Sequence, residues 1–496
     1  MISVLVVGAG PTGLTLACDL ARRGVPVRII DRVPGPQTGS RGKFLQPRSL
    51  EVLDDLGVIL ETLAYGNQHL IFRHYVRNRM IREIDPQAGF AESPDVPYGR
   101  GVFIPQWRVE EILRGRLAEL GVRVEFGTEL ADFAQTETTV TATVVRDGGT
   151  ELLSADYLVA CDGGRSGIRK RLGIGFDGTT HEKQVLLCGD VEVDGLEPDA
   201  WYQWFTDGRP LLLCPLPGTP AWQFQATPSA AEGPTLAAFQ QIVDERAGMP
   251  IRLRNPTWLS TYKVNVRMVD RLRAGRVLLA GDAAHVHPIA GGLGMNTGIQ
   301  DAYNLGWKLA TGSSGLLDTY QEERLPIVAW TLSTSTAGGE ATARGFRTGT
   351  GGVDLAATED TRQLGLHYRF SSLSRDLIEV TGRLRAGDRA PDAPLGTVRL
   401  FDVFRGPQFT LLGFGEACAE VLNELTRRVT GCLVVDNAGA YAAYGIEPHQ
   451  NTLVLVRPDG HVGLITRGTD AAGVRDYLAA ITVPNSREGH SKQSRT

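Results

Sequence analysis

The stretch Val4-Leu5-Val6-Val7-Gly8-Ala9-Gly10-Pro11-Thr12-Gly13 decides the fold of the first part of this chain. The apolar run that ends at Gly8 predicts a strand buried on both faces, as in a parallel sheet. Apolar residues at helical spacing continue to Gly24, a natural helix end, and residues 25–30 predict a second strand. A strand, a helix and a strand within about 30 residues form one βαβ unit.

The glycines of this turn predict a phosphate site. Gly8 permits the tight turn, Gly10 allows the backbone to approach a pyrophosphate, and Gly13 lets helix and sheet pack closely. The helix that begins near Pro11 and Thr12 directs free N–H groups and a positive dipole end toward the phosphates.

An acidic residue completes the pattern at the end of the second strand. Asp31 follows Gly13 by 18 positions, where a carboxylate binds ribose hydroxyls and disfavours a 2′-phosphate. The adjacent Arg32 is assigned to the same site. The segment therefore predicts binding of the ADP half of a dinucleotide, with FAD as the expected cofactor.

The composition indicates a soluble globular protein with two or three domains. The 496 residues are 42% hydrophobic and 22% charged, with a formal net charge of −5. This balance points to no nucleic-acid partner, and no apolar run approaches the roughly 20 residues of an integral membrane span. Six scattered cysteines without a C-x-x-C or zinc-type spacing predict no metal site and fit a cytoplasmic protein.

Two further acidic motifs follow apolar strands. One contains Asp162 and Gly163, and the other contains Gly281 and Asp282. An acid that leaves a parallel strand at its carboxyl end lies in the ligand crevice of the sheet. Each motif alone is equally explained as a capped turn, because Asp is a common N-cap residue.

Together the three motifs resemble the class A flavoprotein monooxygenases, the aromatic hydroxylases of the para-hydroxybenzoate and phenol hydroxylase type. The resemblance implies that the first motif binds the ADP part of FAD. It also associates Asp162 with FAD and NAD(P)H, and it assigns the Asp282 carboxylate to the ribityl chain. Two smaller matches, Arg41 and Gln106, stand where the family has residues near FAD.

The segment 288–302 resembles the family's loop under the isoalloxazine ring. The resemblance assigns Gly292, Gly294, Met295 and Asn296 to the cofactor, with a helix N-terminus facing flavin N1 and the C2 carbonyl. Such a helix end would stabilise the negative charge of reduced flavin. The chain departs from many relatives at Ile289 and Leu293, which puts the local substrate geometry in doubt but leaves FAD binding unaffected.

The resemblance also implies the activity. NADPH or NADH would reduce FAD as a transient reductant, O₂ would add as co-substrate at C4a, and the hydroperoxide would hydroxylate a small aromatic molecule. Baeyer–Villiger oxidation or epoxidation on the same scaffold is the alternative, and a non-catalytic flavin-binding protein is a second one.

The expected fold class is α/β, with three domains. A Rossmann-like FAD-binding domain of the glutathione reductase type would comprise 1–70, 98–180 and 266–330. A mixed or antiparallel substrate sheet would be inserted at 71–97 and 181–265. A helical or loop linker would span 331–385, a thioredoxin-like domain 386–482 and a disordered tail 483–496. The C-terminal part resembles the tail domain of phenol hydroxylase and polyketide hydroxylases, and the chain is expected to be a monomer or homodimer.

The substrate pocket is predicted from aromatic residues of the inserted sheet and from the flavin loop. About half of the aromatic residues are expected in the sheet core, with Tyr202 and Trp204 on one face and Phe205 on the other. The candidates are Tyr202, Trp204, Phe205, Trp222, Phe224 and Pro288. A broad aromatic cavity, together with the tail domain, favours a polycyclic or polyketide-type phenol.

The sequence assigns no catalytic base. His285 and His287 flank the flavin loop, where a base that deprotonates a phenol would be useful. A loop histidine beside a Gly-Asp motif is more often structural, and that alternative stays open.

Overall fold

The structure, a computed structural model, describes residues 2–39, 42–90, 92–229, 233–288, 290–379 and 382–482. Arg41 as a cofactor residue, the local effect of Ile289 and the disorder of the tail 483–496 concern residues outside these ranges. They therefore stay predictions. Within the described ranges, no helix is both long and apolar enough to cross a membrane.

The first half of the chain alternates between two sheets. Its elements are β1 (Ile2–Val7), α1 (Pro11–Arg22), β2 (Val27–Asp31), β3 (Phe44–Leu45), α2 (Pro47–Asp55), α3 (Ile59–Tyr65), β4 (Ile71–Val76), β5 (Arg79–Ile84), β6 (Val102–Phe103), α4 (Gln106–Glu119), β7 (Glu125–Phe126), β8 (Thr128–Gln135), β9 (Val140–Arg146), β10 (Gly149–Ala160), α5 (Gly167–Arg171), β11 (Asp177–Asp194), β12 (Ala200–Trp204), β13 (Leu211–Pro215), β14 (Ala221–Ala226) and α6 (Leu236–Arg246).

The second half completes these sheets and adds a third. Its elements are β15 (Arg252–Met268), β16 (Arg273–Ala274), β17 (Val277–Leu279), β18 (His285–Val286), α7 (Leu293–Thr311), α8 (Ser314–Thr348), β19 (Arg375–Asp376), β20 (Pro394–Leu395), β21 (Val398–Arg399), α9 (Leu400–Phe404), β22 (Thr410–Phe414), α10 (Ala419–Leu425), β23 (Thr430–Val434), α11 (Ala438–Tyr444), β24 (Thr452–Val456), β25 (Val462–Arg467) and α12 (Ala471–Thr482).

The first sheet carries the glycine turn. Six of its eight strands follow the order β16-β17-β10-β1-β2-β7, and β8 and β9 extend from β10. β1 is parallel to β2 and β10, and β10 is parallel to β17. Leu5 and Val6 are fully buried, as the continuous apolar run predicts. Because the carboxyl ends of parallel strands meet at one edge of a sheet, the glycine turn and the two acidic motifs lie at the same edge.

The second sheet is the inserted domain. Its order is β18-β15-β11-β14-β13-β12-β4-β5, and most of its neighbouring strands are antiparallel. β12 and β4 form a parallel pair. Helix α6 packs one apolar face against this sheet.

Helix α8 includes the first part of the predicted helical or loop linker. It is one helix of 35 residues that begins at Ser314 and ends at Thr348, followed by Gly349 in the left-handed conformation. Part of the expected helical or loop linker is therefore the second half of a long helix. Pro326 lies inside it, where it removes one backbone donor without ending the helix.

A third sheet of order β19-β25-β24-β22-β23 forms the core of the C-terminal region. Helices α10 and α12 pack with one apolar cluster of this region, and α11 packs with another. The predicted α/β class, with a Rossmann-like domain, an inserted sheet and a separate C-terminal domain, is confirmed.

Candidate active site

The glycine turn between β1 and α1 has the shape that the sequence predicts. Gly8 has a φ of 108°, and a Cβ there would overlap the carbonyl of Cys161. A Cβ on Gly13 would overlap the carbonyl oxygen of Gly8. By contrast, no heavy atom lies within 4 Å of a Cβ built on Gly10. Gly8 and Gly13 therefore serve packing, whereas Gly10 leaves open space at the N-terminus of α1.

Asp31 is fastened to this turn. Its Oδ2 accepts a hydrogen bond of 2.7 Å from the Ala9 amide, and its Oδ1 accepts one of 3.1 Å from Val33. Arg32 is exposed beside it. The carboxylate thus fixes the turn and lies next to the space that Gly10 leaves open.

Asp162 and Asp282 leave neighbouring strands at the same edge. The Asp162 Oδ2 accepts hydrogen bonds from Gly167 and Ile168 at 2.9 and 3.4 Å, so it caps α5. Asp162 therefore caps a turn, which is the alternative that the sequence left open. A contact of Asp162 with the cofactor stays a proposal. Asp282 lies in a short 3-10 turn and is exposed.

Arg169 joins these two motifs, a contact that the sequence did not predict. Its guanidinium donates to the carbonyl oxygens of Gly164 at 3.0 Å and Ala283 at 2.8 Å. It is buried and lies 3.8 Å from the centre of the Phe176 ring. A basic residue inside a glycine-rich turn was the only sequence signal for this contact.

The loop before α7 is held by Asn296. Gly291 and Gly292 have left-handed backbones, with φ values of 77° and 63°. The Asn296 amide donates to the carbonyl oxygens of Gly292 and Phe44 and accepts from the Gln46 amide. The first turn of α7, including Gly294, leaves N–H groups without intrahelical acceptors. Pro288, before the loop, is buried.

Gln106 and Met295 meet at Gly42. The Gln106 Oε1 accepts a hydrogen bond of 3.1 Å from the Gly42 amide, and its Nε2 donates to Glu110 at 2.9 Å. A Cβ built on Gly42 would lie 3.5 Å from the Met295 sulfur. The structure therefore brings Gln106 and Met295 to one place, from α4 and α7.

Both histidines lie in a buried chain of hydrogen bonds. His285 contacts His287 at 2.9 Å and Asp301 at 2.6 Å, and Asp301 accepts from Arg324 at 2.7 Å. Arg324 in turn donates to the Tyr368 hydroxyl. Burial lowers the pKa of His287, and the charge on His285 lowers it further. Burial alone would raise the pKa of Asp301, but Arg324 and His285 outweigh it and lower that pKa. This arrangement favours the structural interpretation of both histidines.

The aromatic residues divide between the two faces of the inserted sheet. Four of them lie in the apolar cluster between the sheet and α6: Tyr202, Trp204, Trp222 and Phe224. The Phe224 ring stacks on Phe239 of α6 with centroids 4.1 Å apart. These four residues are therefore core residues of the sheet, because strand alternation turns them toward α6. Phe205 lies on the opposite side with Trp201.

That opposite face carries buried polar side chains, which the sequence reasoning missed. The strand register brings these side chains close together on β4, β11, β12 and β14. They are His74, Asp190, Gln203, Gln223 and Gln225. A glutamine at every second position of an otherwise apolar strand was the available signal, as in Ala221-Trp222-Gln223-Phe224-Gln225.

Lys43 points onto this face from the segment beside Gly42. Its ammonium donates to the side-chain oxygens of Gln223 and Gln225 and lies 4.2 Å from the centre of the Trp201 ring. The side chain is 8% exposed, and burial lowers the pKa of Lys43. A buried ammonium therefore lies between the cofactor loop and the sheet.

Comparisons with known proteins show to which family this chain belongs. Residues 1–335 match a family described as FAD binding domain, and residues 431–486 match the phenol hydroxylase C-terminal dimerisation domain. A flavin-dependent monooxygenase from Mycobacteroides abscessus is 44% identical over 495 residues, covering 97% of this chain and 100% of that protein. The chain belongs to the FAD-dependent monooxygenases.

Other relatives of the monooxygenase agree. The 6-methylpretetramide 4-monooxygenase of Streptomyces rimosus is 41% identical over 346 residues, covering 67% of this chain and 60% of that protein. The crystal structure of a ternary complex of aklavinone-11 hydroxylase with FAD and aklavinone superposes with a TM-score of 0.82. It is 26% identical and covers 97% of this chain and 99% of that one. The predicted cofactors, FAD with NAD(P)H and O₂, are confirmed.

The residues present in the monooxygenase fit FAD. The open space at Gly10 would admit the pyrophosphate, and the exposed Asp282 carboxylate would reach the ribityl chain. The N-terminus of α7 would face the ring, because left-handed Gly292 ends the loop there.

Proposed function

We propose that this monooxygenase hydroxylates a polycyclic phenol of the aromatic polyketide class. The observation that carries the proposal is the buried sheet face that bears Trp201 and the glutamines and lies next to Lys43. From Phe72 on β4 to Gln223 on β14 the face crosses three strand spacings, or about 14 Å. A surface of that width, with aromatic rings and amide groups, suits several fused rings that carry oxygen substituents.

Two of the relatives and one solved structure support the same substrate class. One acts on 6-methylpretetramide, and another from Streptomyces rimosus is a 12-dehydrotetracycline and anhydrotetracycline monooxygenase that is 30% identical over 92% of this chain. The solved hydroxylase complex contains aklavinone.

The chain's own residues would prepare the site for oxygen chemistry. The chemistry supplied by FAD, when it is bound, would be electron transfer from NAD(P)H and activation of O₂. The N-terminus of α7 would stabilise negative charge on a flavin ring bound there, and Asn296 holds the loop in place through the carbonyl oxygens of Gly292 and Phe44. The buried sheet face excludes water from the reacting centre.

A panel of phenols tests this function. The purified holoenzyme is mixed with single-ring phenols, naphthols and hydroxylated tetracycles, and NADPH oxidation, H₂O₂ and product mass are measured under air. We expect kcat/KM to be larger for the tetracycles by on the order of tenfold to 100-fold, with one oxygen atom added. Equal turnover of single-ring phenols would contradict the proposal, and a lactone or epoxide product would establish the alternative reaction.

We also infer that the monooxygenase is a homodimer and is cytoplasmic. The dimer is supported by the match at 431–486 and by Leu433, which is 41% exposed on the edge strand β23. The six free cysteines support a reducing compartment. Leu152, which is 71% exposed on β10 of the first sheet, provides a control outside this edge. Light scattering should give twice the chain mass for the native protein and for Leu152→Lys, and the chain mass for Leu433→Lys. A dimeric Leu433→Lys variant would exclude this edge.

A further inference from the structure

Lys43 is buried without a counter-charge among the described residues. Its ammonium has two amide oxygens and the Trp201 ring as partners, and no carboxylate of the described chain forms an ion pair with it. The Asp190 carboxylate lies on the same face, opposite Gln223 in the strand register, and its negative charge favours the charged form of Lys43. A buried charge without a paired partner is costly, so the fold retains Lys43 at the expense of stability.

The sheet face that Lys43 contacts carries three donor side chains without an acceptor in the described part of the chain, together with one carboxylate, Asp190. The Trp201 indole N–H and the side-chain N–H groups of Gln203 and Gln225 have no hydrogen-bond acceptor among the described residues. All three residues are more than nine-tenths buried. Several unsatisfied donors around one ammonium form a site for an oxygen anion.

The position of Lys43 relates this site to the cofactor. The preceding residue, Gly42, contacts Gln106 and lies beside Met295 at the start of α7. The Lys43 carbonyl oxygen accepts from the Ile104 amide, which fixes the backbone there. The Lys43 side chain therefore projects from the cofactor-binding segment onto the substrate sheet.

We propose that Lys43 binds an ionised phenolic or enolic oxygen of the substrate and so selects acidic rings over neutral ones. The proposal rests on the proposed function, because it names the group of the polycyclic phenol that enters this face. No bond forms or breaks at Lys43; it is a specificity-determining residue that places the ring and stabilises its anion. Gln225 and Trp201 supply the further donors to the same oxygen or to its neighbour.

The test compares phenols with their methyl ethers. Holoenzymes of the native chain, Lys43→Met and Lys43→Arg are titrated with 1-naphthol, 1-methoxynaphthalene, 1-hydroxyanthraquinone and 1-methoxyanthraquinone. Binding is measured from the perturbed flavin spectrum. We expect Lys43→Met to weaken binding of the phenols on the order of 10- to 100-fold and to leave the methyl ethers unchanged. Lys43→Arg should keep most of the preference for phenols.

A second readout separates function from structure. Because Lys43 is a buried charge without a counter-ion, Lys43→Met should keep its FAD and unfold at the same temperature or a higher one. A lower unfolding temperature, or equal losses for phenol and ether, would make Lys43 structural and overturn the proposal. If the naphthol binds but the anthraquinone does not, the proposal of a polycyclic substrate is contradicted. The naphthol and its methyl ether then still decide whether Lys43 selects phenols. Absence of binding by any phenol would overturn both.

Discussion

Gly10→Val is expected to give a folded protein that has lost FAD. The Gly10 backbone, with φ of −75° and ψ of −177°, is ordinary for any residue, and no heavy atom lies within 4 Å of its built Cβ. A side chain there would instead occupy the space of the pyrophosphate. Displacing the charged pyrophosphate oxygens from the N-terminus of α1 should weaken FAD binding on the order of 100-fold. The flavin-to-protein ratio and titration of the apoprotein measure the effect.

A matched substitution controls for this result. Gly115 is exposed on α4, and a Cβ there also meets no heavy atom within 4 Å. Gly115→Val should therefore bind FAD as the native chain does. Native flavin content in Gly10→Val would contradict the assigned site, and an unfolded apoprotein would show that Gly10 serves packing, as Gly13 does.

Glu323→Gln is expected to weaken the docking of the C-terminal domain on the FAD-binding domain. The Glu323 carboxylate is fully buried and accepts hydrogen bonds from both domains: Asn304 at 2.7 Å, Lys308 at 2.7 Å, Ser371 at 2.7 Å and Arg457 at 2.6 and 2.9 Å. The substitution leaves the buried Lys308 without its counter-charge, which costs about 3–5 kcal/mol, whereas Arg457 keeps its ion pair with Asp459. Calorimetry should show the C-terminal domain unfolding at a lower temperature, apart from the rest.

Two controls test the role of Glu323: measurement at low pH and substitution in an ion pair at the surface. Burial would raise the pKa of Glu323, but Arg457 and Lys308 outweigh it and lower that pKa below its unfolded value. Its contribution is therefore complete above about pH 4.3 and is lost as the pH falls toward the folded pKa. The difference from the native chain should shrink below about pH 4. Glu424→Gln removes the half-exposed partner of Arg475 and should cost less than about 1 kcal/mol. Equal effects of both substitutions would contradict the domain-joining role.

The cofactor site could be predicted from local sequence patterns. The glycine turn and Asp31 belong to one βαβ unit, and the two acidic motifs each follow a strand, so their common edge could be derived from the rule for parallel sheets. The N-terminus of α7 was also anticipated, although the contact of Asn296 with residues 44–46 was not. Asn296 and Gln46 are 250 positions apart, and no local pattern predicts such a contact.

The substrate pocket was harder to predict from sequence than the cofactor site. The alternation of side chains along a strand shows which residues share a face of the sheet, but it does not show which element covers that face. The expectation that Tyr202 and Trp204 share a face, opposite to Phe205, is confirmed. Which face is covered by α6 depends on where residues 236–246 return to the sheet. That packing put four of the five predicted aromatics into the core.

The sequence by itself determined the FAD-binding unit, the α/β class and the two-faced pattern of the inserted strands, because each depends on spacing within a few tens of residues. Only the tertiary structure decided what faces the cofactor and what joins the domains. Lys43 meets Gln223 across 180 positions, and Glu323 meets Arg457 across 134. Such contacts arise from sheet order and domain docking, where burial removes water and makes each unpaired charge or donor costly.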